Sequence, residues 1–363
     1  MEAAEVVIAG GGAVGASTAW HLAELGVADV VLLERDMLAS GSTAASAGGV
    51  RTQFADELNV RIALRSLDEL RAMGDEIDLR QWGYLFLLDR ASDVAAFRAA
   101  LELQRSLGVP SEELTPDAAR ELVPQLGLDG VLAATYCPWD GYCSPEAVVQ
   151  WYARHAAAHG IRVRQGCALT GVRVRRGRIE AVDTSAGPIA TGTLVCAAGA
   201  WSAEVAALAG VELPVRGVPR HMWFTPEDGG LPGELPLTVD FSTSFYVHRE
   251  GPGLVFGGRE PRLQDVAEHA VRRLPALTEL PIQSSWWGYY EVSPDHNALV
   301  GESADVSRFL YATGFSGHGF QQAPAVGEHV AELVAGAVPT LDLSAFDAGR
   351  FARGDVRPEA FVI

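Results

Sequence analysis

The first 34 residues restrict the fold more than any other part of the chain. Glu5–Ala9 is a short apolar run that reads as a buried strand, and the turn Gly10-Gly11-Gly12-Ala13-Val14-Gly15 follows it. Apolar periodicity predicts a helix from about Ala13 to Leu25. Gly26 stops that helix ahead of a second strand, Val30–Leu33. This is one β-α-β unit of about 30 residues, the size of a parallel crossover. The turn satisfies G-x-G-x-x-G: Gly10 permits the tight bend, Gly12 lets the backbone approach a pyrophosphate, and Gly15 lets helix and strand pack closely. A diphosphate there faces the free N–H groups of the helix start. Glu34 closes the second strand, where its carboxylate can accept both ribose hydroxyls and repel a 2′-phosphate, which argues against NADP.

Downstream, helical periodicity covers Leu58–Met73, Ala91–Leu107 and Pro145–His159. The stretch from Ile161 to Thr184 alternates apolar and polar residues as antiparallel hairpin strands do, and Leu194–Ala198 is another buried apolar run. Val215–Gln283 is strand-rich with Pro/Gly turns, Phe309–Ala312 is a late buried strand, and a helix is expected from about Ala323 to Ala335. Nucleotide-type signals therefore occur at the start, middle and end of the 363 residues. The expected class is α/β with an α+β insert: a Rossmann-type dinucleotide domain built from non-contiguous segments (1–80, 142–214 and 286–340) plus a mixed or antiparallel-sheet substrate domain (81–141 and 215–285). Residues 341–363 read as a C-terminal tail.

Composition narrows the function. A net charge of −18 repels phosphate backbones, so nucleic acid is not an expected partner. Lysine is absent, which removes Schiff-base chemistry and any catalytic ammonium from the side chains. The four cysteines have no CxxC spacing and read as reduced, buried thiols, and no metal site is expected; His155 and His159 lie four apart with no third ligand near them. No signal peptide precedes the first strand and no long uncharged apolar run occurs. Cytoplasmic residence without a membrane span is the expectation.

Six ordered stretches carry a resemblance: GGGAVG; Ser40–Phe54; Asp140-Gly141 before a Pro-led helix; Leu194–Ser202; Trp286–Gly301; and Ala312–Pro324. Together they resemble the FAD-dependent D-amino-acid-oxidase-like superfamily, in its sarcosine oxidase β-subunit, proline dehydrogenase and glycine oxidase branch. The resemblance implies FAD as cofactor, bound by Gly10, Gly12, Ala13, Val14, Gly15, Glu34 and Arg35, with Ser42 and Thr43 offering hydroxyls to the pyrophosphate. It implies further contacts from Ala47, Gly48 and Gly49, where small residues let the backbone pass a flat ring, and from Val172, Ala198, Gly199 and Trp201. Gly314, Gly317, His318, Gly319, Phe320 and Gln321 complete the set, as a loop and helix start bringing N–H groups to the edge where charge develops on reduction. Where some relatives tether the flavin through a Cys, this chain has Gly288, so non-covalent FAD is expected.

The implied reaction is oxidation of a C–N bond in a small amine or amino acid, a secondary amine or imino acid being favoured, by hydride transfer to flavin N5. A carboxylate on the substrate needs a cation, best a bidentate Arg. Arg51 is the first choice and Arg259 the second. His318 and Tyr246 are further catalytic candidates, and Tyr246, Trp286, Trp287, Tyr289 and Tyr290 are candidates for an aromatic wall. Two positions where monomeric sarcosine oxidases carry lysine hold Gln321 and Val255, which makes dehydrogenase behaviour more plausible; the acceptor is oxygen or a redox partner. A hydroxy-acid oxidoreductase and a non-catalytic flavin-bound subunit are the alternatives, and a homo- or hetero-oligomer is compatible with either.

Overall fold

The computed structural model describes residues 2–363. In chain order its principal elements are β1 (Val6–Ala9), α1 (Ala13–Glu24), β2 (Val30–Leu33), α2 (Glu57–Met73), β3 (Tyr84–Leu88), α3 (Ala91–Ser106), β4 (Ala133–Cys137), α4 (Pro145–Ala158), β5 (Arg162–Arg164), β6 (Leu169–Arg175), β7 (Arg178–Thr184), β8 (Thr193–Cys196), β9 (Arg216–Thr225), β10 (Leu237–Asp240), β11 (Phe245–Glu250), β12 (Gly253–Gly257), β13 (Ser284–Val292), β14 (Leu299–Glu302), β15 (Phe309–Thr313) and α5 (Gly319–Ala335).

Two sheets organise the molecule. The first has order β14-β15-β8-β1-β2-β5 and is parallel except for β14. Its central strands are apolar throughout because both faces are covered. Val6, Ile8, Val30 and Leu32 enter one core cluster, while Val7, Ala9, Val31 and Leu33 enter another on the opposite face. From β1 the chain moves outward to β2 on one side, and β8 and β15 flank it on the other. The strand order therefore reverses at β1/β8, and a crevice opens beyond the carboxyl ends of those strands, where ligands of open α/β sheets bind. The second sheet has eight strands in the order β13-β9-β12-β11-β10-β3-β4 with Glu112–Leu114 at its far edge, and only the β10/β3 pairing is parallel. Its β9 and β13 lie over the mouth of the crevice.

Three expectations are corrected. The stretch Ile161–Thr184 is not all hairpin: β6 and β7 pair antiparallel, but Arg162–Arg164, arriving from helix α4, pairs parallel with β2 at the edge of the first sheet. Residues from 286 do not leave the substrate sheet, because β13 pairs with β9 over nine residues as far as Val292. The segment after 340 is no loose tail. The buried pair Arg350–Asp295 (2.7 Å) pins it, and Phe361 stacks on Phe97 with ring centroids 3.9 Å apart. All four cysteines are buried free thiols. Among the described residues no helix is long and apolar enough to cross a membrane.

Candidate active site

A cavity of about 600 Å³ fills the crevice, a volume within the range of cofactor clefts. Its floor is the glycine turn. Gly10 has φ +117°, and a Cβ there would overlap the Ala197 carbonyl; one at Gly15 would overlap the carbonyl of Gly10. The turn thus brings bare backbone to the cavity and seats α1 on the sheet. Helix α1 starts with no side-chain cap from Gly12 and no acid in its first turn, so its positive end faces the cavity. Glu34 is fixed from both oxygens, accepting from the N–H of Gly11 and of Asp36, each at 2.8 Å.

Does the cavity suit a dinucleotide diphosphate? Thr43 Oγ1 accepts from the Ala13 N–H at 3.2 Å, so one hydroxyl already stands at the helix end. The neighbouring Ser42 Oγ is buried, lines the cavity and has no hydrogen-bond partner among the described residues. A buried hydroxyl without a partner costs free energy that an incoming phosphate oxygen would recover. The residues present therefore fit the group. Trp201 forms part of the outer wall, with the Arg35 guanidinium 4.0 Å above its ring.

A second, smaller pocket of about 80 Å³ adjoins the first. Ala45, Ser46, Arg220, Tyr290, Gly317 and Phe320 line both. Arg220 comes from β9, Tyr246 from β11 and Tyr290 from β13, and the other wall is the start of α5. Gly317 has φ +103°, and a Cβ there would stand 2.6 Å from the Tyr290 ring, so only glycine lets the loop lie on that tyrosine. Arg51 is fully buried. It donates from Nη1 to the Gln53 carbonyl and from Nη2 to the Phe361 carbonyl and to His318 Nε2 (2.9 Å). A guanidinium can only donate, so His318 Nε2 accepts and the proton sits on Nδ1. Burial, with the Arg51 charge beside it, holds His318 well below the usual histidine pKa, so the ring is neutral. Burial also raises the hydroxyl pKa values of Tyr84, Tyr246 and Tyr290. At neutral pH the side chains lining the small pocket therefore offer cations and neutral donors but no Asp or Glu and no basic imidazole.

Glu291 lines the large cavity from the end of β13. It accepts from Thr313 Oγ1 (2.9 Å) and from the N–H groups of Gly314 and Phe315, tying the glycine loop to the strand, and burial raises it to about 7. Asp140, buried at the centre of the molecule, accepts from the N–H and hydroxyl of Thr52 (2.8 and 2.7 Å) and from Gln53 Nε2 (3.2 Å), and so shapes the backbone that carries Arg51.

Of the residues expected at the site, Gly10, Gly12, Ala13, Val14, Glu34, Arg35, Ser42, Thr43, Ala198, Gly199, Trp201, Gly317, Gly319 and Phe320 line the large cavity. Ala47, Gly49, Arg51, Tyr246, His318 and Gln321 line the small pocket. Gly15, Gly48 and Gly314 act in packing; Cβ atoms there would overlap Gly10, Cys143 and Leu299. Two placements differ from expectation. Val172 lies on β6, whose hairpin packs on the first sheet, and the lining at that end comes instead from Cys167–Thr170. Arg259 is exposed, bonded to Ser244 Oγ at 3.1 Å, and lines neither cavity. In the expected aromatic wall, Tyr289 and Tyr290 line the large cavity, whereas Trp287 is exposed. Glu291 and Arg220 were not anticipated. The one signal for Arg220 was an arginine alternating onto the same strand face as the apolar Met222.

Comparison with known proteins agrees with this geometry. The family model described as FAD dependent oxidoreductase (DAO) matches residues 5–333. Mouse mitochondrial sarcosine dehydrogenase is 29% identical over 96% of this chain, and the alignment spans 41% of that protein, so this chain corresponds to less than half of it. The bovine FAD-dependent oxidoreductase domain-containing protein 1 is 32% identical over the whole chain and 87% of its own length. Among solved structures, L-proline dehydrogenase from P. horikoshii superimposes with a TM-score of 0.92 at 34% identity, covering 98% of this chain and 100% of that one.

Proposed function

The chain belongs to the DAO family of FAD-dependent oxidoreductases, and from that premise we propose that it oxidises the C–N bond of a small amine or amino acid, a secondary amine or imino acid being favoured. The observation that carries this reading is the small pocket opening directly onto the cofactor cavity through shared walls at Arg220, Tyr290, Gly317 and Phe320. FAD, when bound, supplies the hydride acceptor. The protein's own contribution is positioning. Tyr84, Tyr246, Met222 and Leu237 shape a pocket that admits few heavy atoms, and its cations attract and orient a charged substrate. With His318 neutral and tied to Arg51, no side chain lining the small pocket stands ready as a general base, which suits removal of hydride from a substrate that arrives as the free amine.

The cofactor is held without a covalent link in this reading. At Gly288, the expected tether position, even a Cβ would stand 2.5 Å from that of Ala45. The one cysteine in the lining, Cys167, is buried beside Glu34 and donates its N–H to the Glu34 carbonyl.

The test is anaerobic mixing of the FAD-loaded protein with sarcosine, dimethylglycine, proline and glycine, and separately with lactate and glycerol 3-phosphate. Bleaching of the yellow flavin by one or more of the amines, with imine or aldehyde released, is expected. Bleaching by the hydroxy compounds alone overturns the reading.

A further inference from the structure

The small pocket has one wall that comes from neither sheet. Its sheet walls include Tyr84 on β3, Met222 on β9, Leu237 on β10 and Tyr246 on β11, all buried and each on a strand hydrogen-bonded to its neighbours. A further wall is Ile363, brought there by the segment that follows Glu359. Ile363 packs against the apolar cluster that contains those four side chains. The buried Glu359 carboxylate starts the segment on its path, accepting from Asn59 Nδ2 and from the Phe361 N–H, each at 2.9 Å. Phe361 then stacks on Phe97, and its carbonyl accepts from Arg51 Nη2. Beyond that point Val362 and Ile363 are half-buried and make no backbone hydrogen bond among the described residues. Ile363 is thus the one large apolar side chain of the lining whose residue is held by packing alone.

That position bears on access. Tyr290, Gly317 and Phe320 line the large cavity too, so the inner mouth of the small pocket faces the place the cofactor would take. The four sheet walls are closed to solvent, whereas Ile363 sits on a segment whose Ala360 is exposed and whose Val362 is half-exposed. A residue with few backbone hydrogen bonds opens locally at small cost, while a strand residue moves only with its ladder. An apolar wall also discriminates by volume, since one methylene too many costs roughly 10- to 200-fold in rate. We propose that Ile363 is the size-determining residue of the small pocket and the door through which a substrate reaches it, limiting the reaction to compact amines of few heavy atoms. The choice of amines rests on the reading above; the door does not.

The experiment compares the FAD-loaded full chain as wild type, Ile363→Ala and Ile363→Trp. Each is mixed anaerobically with sarcosine and with its N-ethyl and N-butyl homologues, and the rate of flavin bleaching per unit of amine concentration is measured. The ratio of the N-butyl rate to the sarcosine rate is the readout, because partial unfolding or loss of FAD changes both rates alike and leaves it unmoved. Ile363→Ala is expected to raise that ratio by about tenfold or more, and Ile363→Trp to slow even sarcosine. An unchanged ratio in Ile363→Ala overturns the size role and leaves the reaction in place. Sulfite, which bleaches a reachable flavin by adding to N5 and is no amine, tests the door by itself. Its rate is expected to rise in Ile363→Ala and to fall in Ile363→Trp. If no amine bleaches any of the three proteins while sulfite follows that order, the amine reading falls and the door stands. Sulfite rates equal in all three, or no reaction with any of them, overturn the door.

Discussion

Glu291 and Asp140 are carboxyls that the fold holds away from bulk water, and their ionisation is coupled to stability. Burial raises Glu291 from its ordinary 4.5 to about 7 and Asp140 from 3.8 to about 6. A raised carboxyl favours the fold fully below its unfolded pKa, and that contribution is lost as pH climbs through the folded value, here between about 4 and 7. Glutamine cannot ionise yet still offers an oxygen to the Thr313 hydroxyl and the loop amides. Glu291→Gln is therefore expected to be more stable than wild type at pH 8, by on the order of 2–3 kcal/mol at most, and indistinguishable from it near pH 4. Urea denaturation of the FAD-free protein at the two pH values measures this; an equal effect at both would show that the carboxyl does not titrate as described. A diphosphate in the same cavity adds negative charge and favours the protonated carboxyl further.

Among elements, the crossing of α1 and α5 bears most on the cofactor cavity, because both helices aim their N-termini into it. They pack closely at Gly327, where a Cβ would overlap the Ser17 side chain and lie 2.8 Å from the Thr18 nitrogen. Pro324, inside α5, lacks the N–H that an interior residue donates, and the local backbone is served from neighbours instead: Ser66 Oγ accepts from the Ala325 N–H (3.2 Å), and Ser17 Oγ bonds the Pro324 carbonyl (3.4 Å). Gly327→Val should separate the helices, lowering stability by roughly 1–3 kcal/mol and weakening FAD retention, read from the denaturation midpoint and from the flavin lost on gel filtration.

The same crossing shows where the sequence speaks and where it does not. The opening strand, turn and helix were legible because each signal is local: apolar run, glycines, periodicity and an acid on time. Helix α5 was expected from Ala323 but starts at Gly319, since glycines and an interior proline mask a helix whose first turn is defined by tertiary contacts. Arg51 was singled out from its place after the small-residue stretch and from the resemblance, and it lines the small pocket. Arg220 was not, because its surroundings are assembled from β9, β11, β13 and the loop before α5, and what marks it, a buried Nε without an acceptor among the described residues, is a tertiary feature. Arg259 fails as a candidate for the converse reason: it follows a buried strand, yet its side chain turns to solvent.

At the level of the whole molecule, residues 341–363 act as a strap across the two sheets. Arg350 holds Asp295, Glu359 accepts from Asn59 Nδ2 (2.9 Å), and Phe361 fills the space between Phe97 and Phe241 while its carbonyl accepts from Arg51. Phe361→Ala removes a side chain only 1% exposed and should cost about 3–5 kcal/mol of stability. A loss under about 1 kcal/mol in thermal or urea unfolding would mean that the strap only lies on the surface.

The Ser17–Pro324 contact joins residues 307 apart in the chain. A polypeptide emerging from the ribosome amino-end first exposes its glycine turn early, but the opposing wall of the cavity, from Tyr290 to Phe320, lies about 280 residues further along the chain. Flavin capture by the complete cavity must therefore wait until both walls have been made. Until then the apolar rows of β1 and β2 lack their final cover, and the partly folded chain is the stage most exposed to aggregation.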